Sequence, residues 1–328
     1  MISQAADRQP ASRRIEAIDL ARGLALIAMA SYHFTWDLEF FGYLEPGTTS
    51  HGGWRIYARC IASTFLFLVG VSLYLAHRRG IRWRPFAIRF AQVLGAALAI
   101  TAITWYAVPS GLIFFGILHE IALASLLGLI FLRLPWFATA AVAALVIAAP
   151  YFARSAMFDA PIWWWLGLSS IDPRSNDYVP IFPWFGAVLI GIAAARLATS
   201  TGVTLKVAIL SPPRTRPLQF LGRHSLVFYL VHQPVLIAAV WAFAQVAPAD
   251  PFPPEVQFSH ACQAQCRNVR DEAFCLRYCD CMQSGLADNG ITESVLLDPT
   301  PEQEQTLQGM ANLCTEQTDE ELATGGAQ

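Results

Sequence analysis

Charge is what this chain has least of. Asp, Glu, Lys and Arg make up 14% of its 328 residues, while 55% are hydrophobic. A soluble protein of ordinary composition carries about 25% charged residues. Several of its apolar runs reach the roughly 20 residues needed to cross a bilayer. The expected fold class is therefore all-α, a polytopic transmembrane helix bundle. Other absences narrow the function. There is no P-loop, no dinucleotide-binding fingerprint and no zinc-hydrolase spacing. No internal repeat of interrupted helices, the mark of many transporters, is visible. The basic turn SPPRTRP (211–217) is too small for a nucleic-acid site and suits anionic lipid headgroups. No nucleic-acid partner is expected. The first 13 residues are polar, and the first apolar run reads as an anchor rather than a cleaved signal. Cysteine is almost missing before residue 247, where Cys60 reads as an inert buried thiol.

Seven spans are predicted, at about 18–35, 56–76, 86–107, 111–132, 136–152, 180–197 and 219–246. Basic residues orient them. Arg8, Arg13 and Arg14 precede the first span, and Arg78, Arg79, Arg82, Arg84 and Arg89 crowd the second connection. Arg133 marks the fourth, and Arg196, Lys206, Arg214, Arg216 and Arg223 the sixth. The opposite side holds Arg55, Arg59, Arg154 and Arg174. The N-terminus is thus expected in the cytoplasm and the C-terminal tail outside. The expected division is a cytoplasmic segment 1–17, a membrane domain 18–246 and a soluble tail 247–328. The tail holds 14 acidic residues against 3 Arg, a net of −11. Its six cysteines, Cys262, Cys266, Cys275, Cys279, Cys281 and Cys314, include two pairs spaced i, i+4, each on one helix face. Two antiparallel helices would pair Cys262 with Cys279 and Cys266 with Cys275, leaving Cys281 for Cys314. That is one of 15 connectivities. Disulfides need an oxidising compartment, which agrees with an outward tail in a bacterial inner membrane protein with a periplasmic C-terminus. A zinc site is the competing reading of these cysteines.

Polar residues inside the spans carry the chemistry. At about 1.5 Å per residue through about 30 Å of hydrocarbon, His33, His119, Glu120 and His232 all fall in the outer third of the bilayer. Each alone is as readily a helix–helix hydrogen bond. Together they are expensive, at about 2.5–3.5 kcal/mol for an ionisable group, unless they meet in a cavity. His33 has Asp37 at i, i+4. The carboxylate can hold one ring nitrogen and leave the other free as a base. A second layer lies at the inner face: Asp19 and Arg22 in IDLARG, and Arg223 and His224 in LGRHS. It reads as ordinary anchoring or as a site for a phosphate-bearing ligand, where Arg binds bidentately. DPRSN (172–176), with Arg174, is either a plain turn or a sugar contact.

Four stretches in order, IDLARGLALIAMASYH (18–33), TFLFLVGVSLYLA (64–76), PIFPWFGAVLIGIAAARL (180–197) and LGRHSLVFYLVHQP (221–234), resemble the heparan-α-glucosaminide N-acetyltransferase-like group of transmembrane acyltransferases. The resemblance spans about residues 14–246 and does not reach the cysteine tail. It implies transfer of an acetyl group from cytosolic acetyl-CoA, as co-substrate and with no metal, to a sugar hydroxyl or amine across the membrane. It further implies that Asp19, Arg22, Arg223 and His224 line the CoA mouth, and that His33 is the catalytic base. Lysosomal relatives instead carry their histidine in the first outer loop before a Trp, which here is His51 in HGGW (51–54). His119 and Glu120 would then hold the acceptor or polarise the carbonyl, with His232 and Arg174 against the sugar. Direct transfer and an acetyl-histidine intermediate are both compatible with this arrangement. The alternatives from other classes are a proton-coupled transporter and an anchor presenting the tail. The tail itself suits docking of a protein partner or substrate, or capping of the bundle.

Overall fold

The computed structural model describes residues 16–50, 52–171, 173–202, 215–250, 252–267, 269–291 and 300–325. These are all helical or loop. The main helices are α1 (Glu16–Phe40), α2 (Gly52–His77), α3 (Trp83–Ala107), α4 (Ile117–Phe131), α5 (Trp136–Ala148), α6 (Ile181–Ser200), α7 (Arg216–Arg223) and α8 (Ser225–Ala244). Three further helices form the tail: α9 (Pro254–Cys266), α10 (Glu272–Asp288) and α11 (Pro301–Gly325).

Helices α2, α3, α6 and α8 are long and apolar enough to cross a bilayer, and α4 and α5 are apolar but shorter. Helix α1 is 25 residues long, but its apolar run is broken by Asp19, Arg22, His33, Asp37 and Glu39. The expected seventh span is two helices, because backbone dihedrals leave the helical region at His224 (φ −104°, ψ 26°). The polar residues Arg216, Gln219 and Arg223 make α7 a separate element outside the apolar run.

Two compact units divide the chain, one of residues up to 34 plus 52–237, the other of 35–51 plus 238–328. In the first, α6 is the hub, packed on α2, α4 and α5. Leu66, Leu73, Ala124, Val188, Leu189 and Ile192 form its buried centre. Gly70 and Gly191 let α2 and α6 touch backbone to backbone. A Cβ on Gly70 would lie 2.0 Å from the Val188 carbonyl oxygen, and one on Gly191 2.1 Å from that of Phe67. Such small-residue contacts are how helices pack where lipid removes the hydrophobic drive. Cys60 is exposed on α2, contrary to the expected burial. It shares with Ile56 and Thr64 the i, i+4, i+8 stripe turned away from the core.

In the second unit, Glu39 organises the turn after α1. Its carboxylate accepts from the Gly47 amide at 2.5 Å and from the amide and hydroxyl of Thr49 at 2.8 and 2.7 Å. The tail helices are joined by Cys262–Cys279, Cys266–Cys275 and Cys281–Cys314. All six tail sulfurs are thus in disulfides, which leaves no thiolate there for zinc. Asp271 caps α10 by accepting from the Phe274 amide at 3.0 Å. Arg277 pairs with Glu321 across to α11 at 3.2 Å.

Candidate functional site

Within the first unit lies a cavity of about 280 Å³, walled by α1, α2, α3, α4 and α8. One end is cationic, with Arg22, Arg82 and Arg89 in its lining beside His77. The middle carries the hydroxyls of Ser72, Ser125 and Ser225 among apolar side chains. The far end is Phe65, Val93, Leu118 and Tyr229. From His77 to Phe65 along α2 is about 18 Å at 1.5 Å per residue. The cavity is elongated along α2, with its charged side chains toward one end.

Arg22 joins this end of the cavity to an ion-pair cluster between α1 and α7. Gly222 sits so close to α1 that a Cβ would lie 1.8 Å from the Asp19 carbonyl oxygen. This approach places Arg223 Nε 3.4 Å from Asp19 Oδ2, while Arg22 Nη1 is 3.6 Å from Asp19 Oδ1. Arg22 also donates to Ser72 Oγ at 2.5 Å. Asp19 is 2% exposed, so it acts as the buried counter-charge that orients both guanidinium groups. The expected triad of Asp19, Arg22 and Arg223 is therefore one cluster. His224 is not part of it. Its ring lies on Phe220 and its Nδ1 is 3.0 Å from the Phe220 carbonyl oxygen, so it closes α7 and points to the surface. Arg82 and Arg89 join the cavity wall. In the sequence they look like ordinary cytoplasmic arginines, and only the packing of α3 on α4 turns them inward.

Beyond the far end, α1 and α8 bring two imidazoles together. The rings of His33 and His232 are 4.9 Å apart, edge to face. His232 Nδ1 lies 2.6 Å from the Tyr229 carbonyl oxygen. A carbonyl only accepts, so Nδ1 carries the proton and Nε2 keeps a bare lone pair. That Nε2 is buried and has no hydrogen-bond partner, which is the state of a base. Tyr32, Trp54 and Tyr57 form an aromatic wall beside His33. One turn further along α1, Asp37 is fully buried.

His119 and Glu120 do not join this pair. His119 Nδ1 accepts from the Gly116 amide and its Nε2 lies 3.2 Å from Thr101 Oγ1. Both nitrogens are engaged, and the residue serves as the cap of α4. Glu120 points the other way, fully buried in the bundle core, with neither oxygen hydrogen-bonded. Arg174 is exposed in the loop before α6. His51 lies outside the described residues, as do Lys206, Arg214 and Asp172.

Two residues that the sequence reading missed stand between the cavity and the histidines. Asp177 Oδ2 accepts from the Ile117 amide at 2.9 Å. The Tyr229 side chain hydrogen-bonds to the same carboxyl. Desolvation pushes Asp177 up to about 6, against the lowering effect of those two hydrogen bonds. Tyr229 lies within the LGRHSLVFYLVHQP stretch but nothing there singles it out, and no local signal marks a loop aspartate that closes over a helix 60 residues earlier. Among the described residues, no cluster of three His, Cys, Asp or Glu is arranged to hold a metal.

The apolar helices define a multi-pass membrane protein, and its bundle holds a cavity lined by arginines and by apolar side chains. Residues 14–234 match the family described as heparan-alpha-glucosaminide N-acetyltransferase, catalytic, and the chain belongs to that family of membrane acetyltransferases. No curated protein and no solved structure shows a significant match.

Proposed function

We propose that this protein moves an acetyl group from cytoplasmic acetyl-CoA to a hydroxyl or amine of a sugar on the periplasmic side. The observation that carries the reading is the one-ended cavity. Its arginines suit the phosphates of the nucleotide, since guanidinium groups bind phosphate bidentately. Its slender apolar barrel suits the pantetheine arm. Tyr229 in the cavity lining has its ring 5.7 Å from that of His232, which in turn packs on His33. The abundance of Arg at the cationic end of the cavity supports a cytoplasmic position for it by the positive-inside rule. The acceptor would then meet the thioester from the opposite side, where aromatic faces of Tyr32, Trp54 and Tyr57 suit a sugar ring.

In the chemical step His33 takes the proton of the acceptor O–H or N–H. The lone pair so released attacks the thioester carbonyl carbon. Collapse of the tetrahedral intermediate breaks the C–S bond and CoA leaves as the thiolate, which is reprotonated. His232 packs edge to face on the His33 ring, 4.9 Å between ring centres, and so helps fix the imidazole that takes the proton. General-base catalysis of this kind contributes about 10²–10⁴-fold. The test is His33→Ala in purified, folded protein, assayed for acetyl transfer from radiolabelled acetyl-CoA to a panel of envelope glycans. Turnover should fall by about 10²-fold or more with donor binding retained. Wild-type turnover in that variant removes His33 from the mechanism.

A further inference from the structure

We infer that the Tyr229 hydroxyl binds the thioester carbonyl oxygen at the end of the donor cavity, and that Asp177 holds it in place for that task. The inference rests on the acetyltransferase reading above and adds an oxyanion donor to it.

Tyr229 is placed for the role. It lines the far end of the cavity. Its ring is 5.7 Å from that of His232, whose neighbour is His33. It packs against the α3–α4 cluster of Val93 and Leu118 and against the α1–α2 cluster of Leu26 and Ile61. The phenol thus stands where the donor ends and the histidine pair begins.

Asp177 is built into position by more than its loop. Its backbone neighbours are pinned to the strip before α4. The Asn176 amide donates to the Gly111 carbonyl at 3.3 Å, and the Val179 amide to that of Phe115 at 3.1 Å. Gly116 has no room for a side chain, because a Cβ there would lie 2.3 Å from Asp177 Oδ2. Oδ2 is taken by the Ile117 amide, and the carboxyl meets Tyr229 on α8. A helix cap alone needs only the first of these contacts.

A phenol has one proton to give. When Asp177 is ionised, it accepts that proton. When Asp177 is protonated, Oδ2 still accepts from Ile117, the acid proton goes to the phenol oxygen, and the phenol proton turns to the substrate. During attack the carbonyl π electrons move to oxygen, the Tyr229 O–H stabilises the oxyanion without transferring its proton, and C=O re-forms as the C–S bond breaks. Among the described residues, Tyr229 from α8 hydrogen-bonds the Asp177 carboxyl, and His119 in the first turn of α4 accepts from the Gly116 amide, next to the Ile117 amide that Asp177 takes. Tyr178 is turned onto the Trp164 carbonyl.

Three measurements on the full-length protein decide the matter. Tyr229→Phe should lower turnover by about 10²-fold, the loss expected for one oxyanion donor, and weaken acetyl-CoA binding by no more than the roughly 3–10-fold of one hydrogen bond. The second uses two unreactive ligands, a ketone analogue of acetyl-CoA and ethyl-CoA, which lacks the carbonyl. Wild type should prefer the ketone by about 3–10-fold, the worth of one hydrogen bond, and Tyr229→Phe should lose the preference. Third, Asp177→Asn keeps both contacts, accepting through its oxygen and donating through its amide. It should stay active and lose the fall in turnover that wild type shows as pH rises through about 6. Unchanged turnover with an unchanged ketone preference in Tyr229→Phe, or a wild-type pH profile in Asp177→Asn, overturns the inference while leaving the acetyltransferase intact. Failure of the wild type to bind acetyl-CoA overturns both.

Discussion

An arginine in the second turn of a membrane helix is costly at about 2.5–3.5 kcal/mol, and Arg89 pairs with no carboxylate among the described residues. Its place in the cavity wall is where the phosphates of the proposed donor would meet it. Arg89→Ala and Arg82→Ala should each raise KM for acetyl-CoA by roughly tenfold, the scale of one charge-assisted hydrogen bond, with kcat little changed. The same variants should bind dephospho-donors less differently from wild type. Arg22 differs, because Asp19 and Ser72 already hold it. Arg22→Ala would remove one of the guanidinium groups paired with buried Asp19 and should cost stability as well as affinity, read as a lower melting temperature of the purified protein. The residue scale is also where the sequence was hardest to read. Adjacent helix positions point about 100° apart, so His119 and Glu120 share a depth but not a direction. Depth alone grouped four polar residues. The structure pairs His33 with His232, makes His119 a cap and leaves Glu120 in the core.

At the scale of elements, the helix pattern was legible because an apolar run of bilayer length admits few other structures. The antiparallel α9–α10 pairing could likewise be written from two i, i+4 cysteine spacings. The loop from 173 to 180 could not. Its fold onto α4 depends on Gly111 and Gly116 leaving space for Asn176 and Asp177, a relation that no local pattern encodes. The break between α7 and α8 was hidden for a similar reason, since it depends on Gly222 resting against α1. Close approaches of this kind are sensitive to a single methyl group. Gly191→Ala pushes a carbon into the Phe67 carbonyl and should lower the melting temperature in detergent by several degrees, as overpacking by about 1–3 kcal/mol would. A loss in Gly53→Ala, where nothing lies within 4 Å, would show that glycine itself rather than the contact is what counts.

At the scale of the whole molecule, the family match ends at residue 234, and the disulfide-joined tail begins after it. Deleting residues 255–328 should therefore leave acetyl-CoA binding and some turnover, measured in the same membranes as the full chain. Complete loss would favour the reading of the bundle as a mount for the tail. Closing a 33-residue separation by Cys281–Cys314 is worth about 3–4 kcal/mol on the chain-entropy estimate. Cys314→Ser should make α11 the first segment released by protease. Protease added to intact spheroplasts also fixes which side of the membrane the tail occupies.

Helix α8 carries Tyr229 and His232, yet it is the least covered of the four long apolar helices. Val227, Leu230, Val231 and Val235 all face outward. Hydrocarbon tails, rather than protein, therefore press on the back of the wall that holds the reactive groups. Turnover in reconstituted vesicles should accordingly follow acyl-chain length and saturation, so the surrounding lipid behaves as a component of the enzyme.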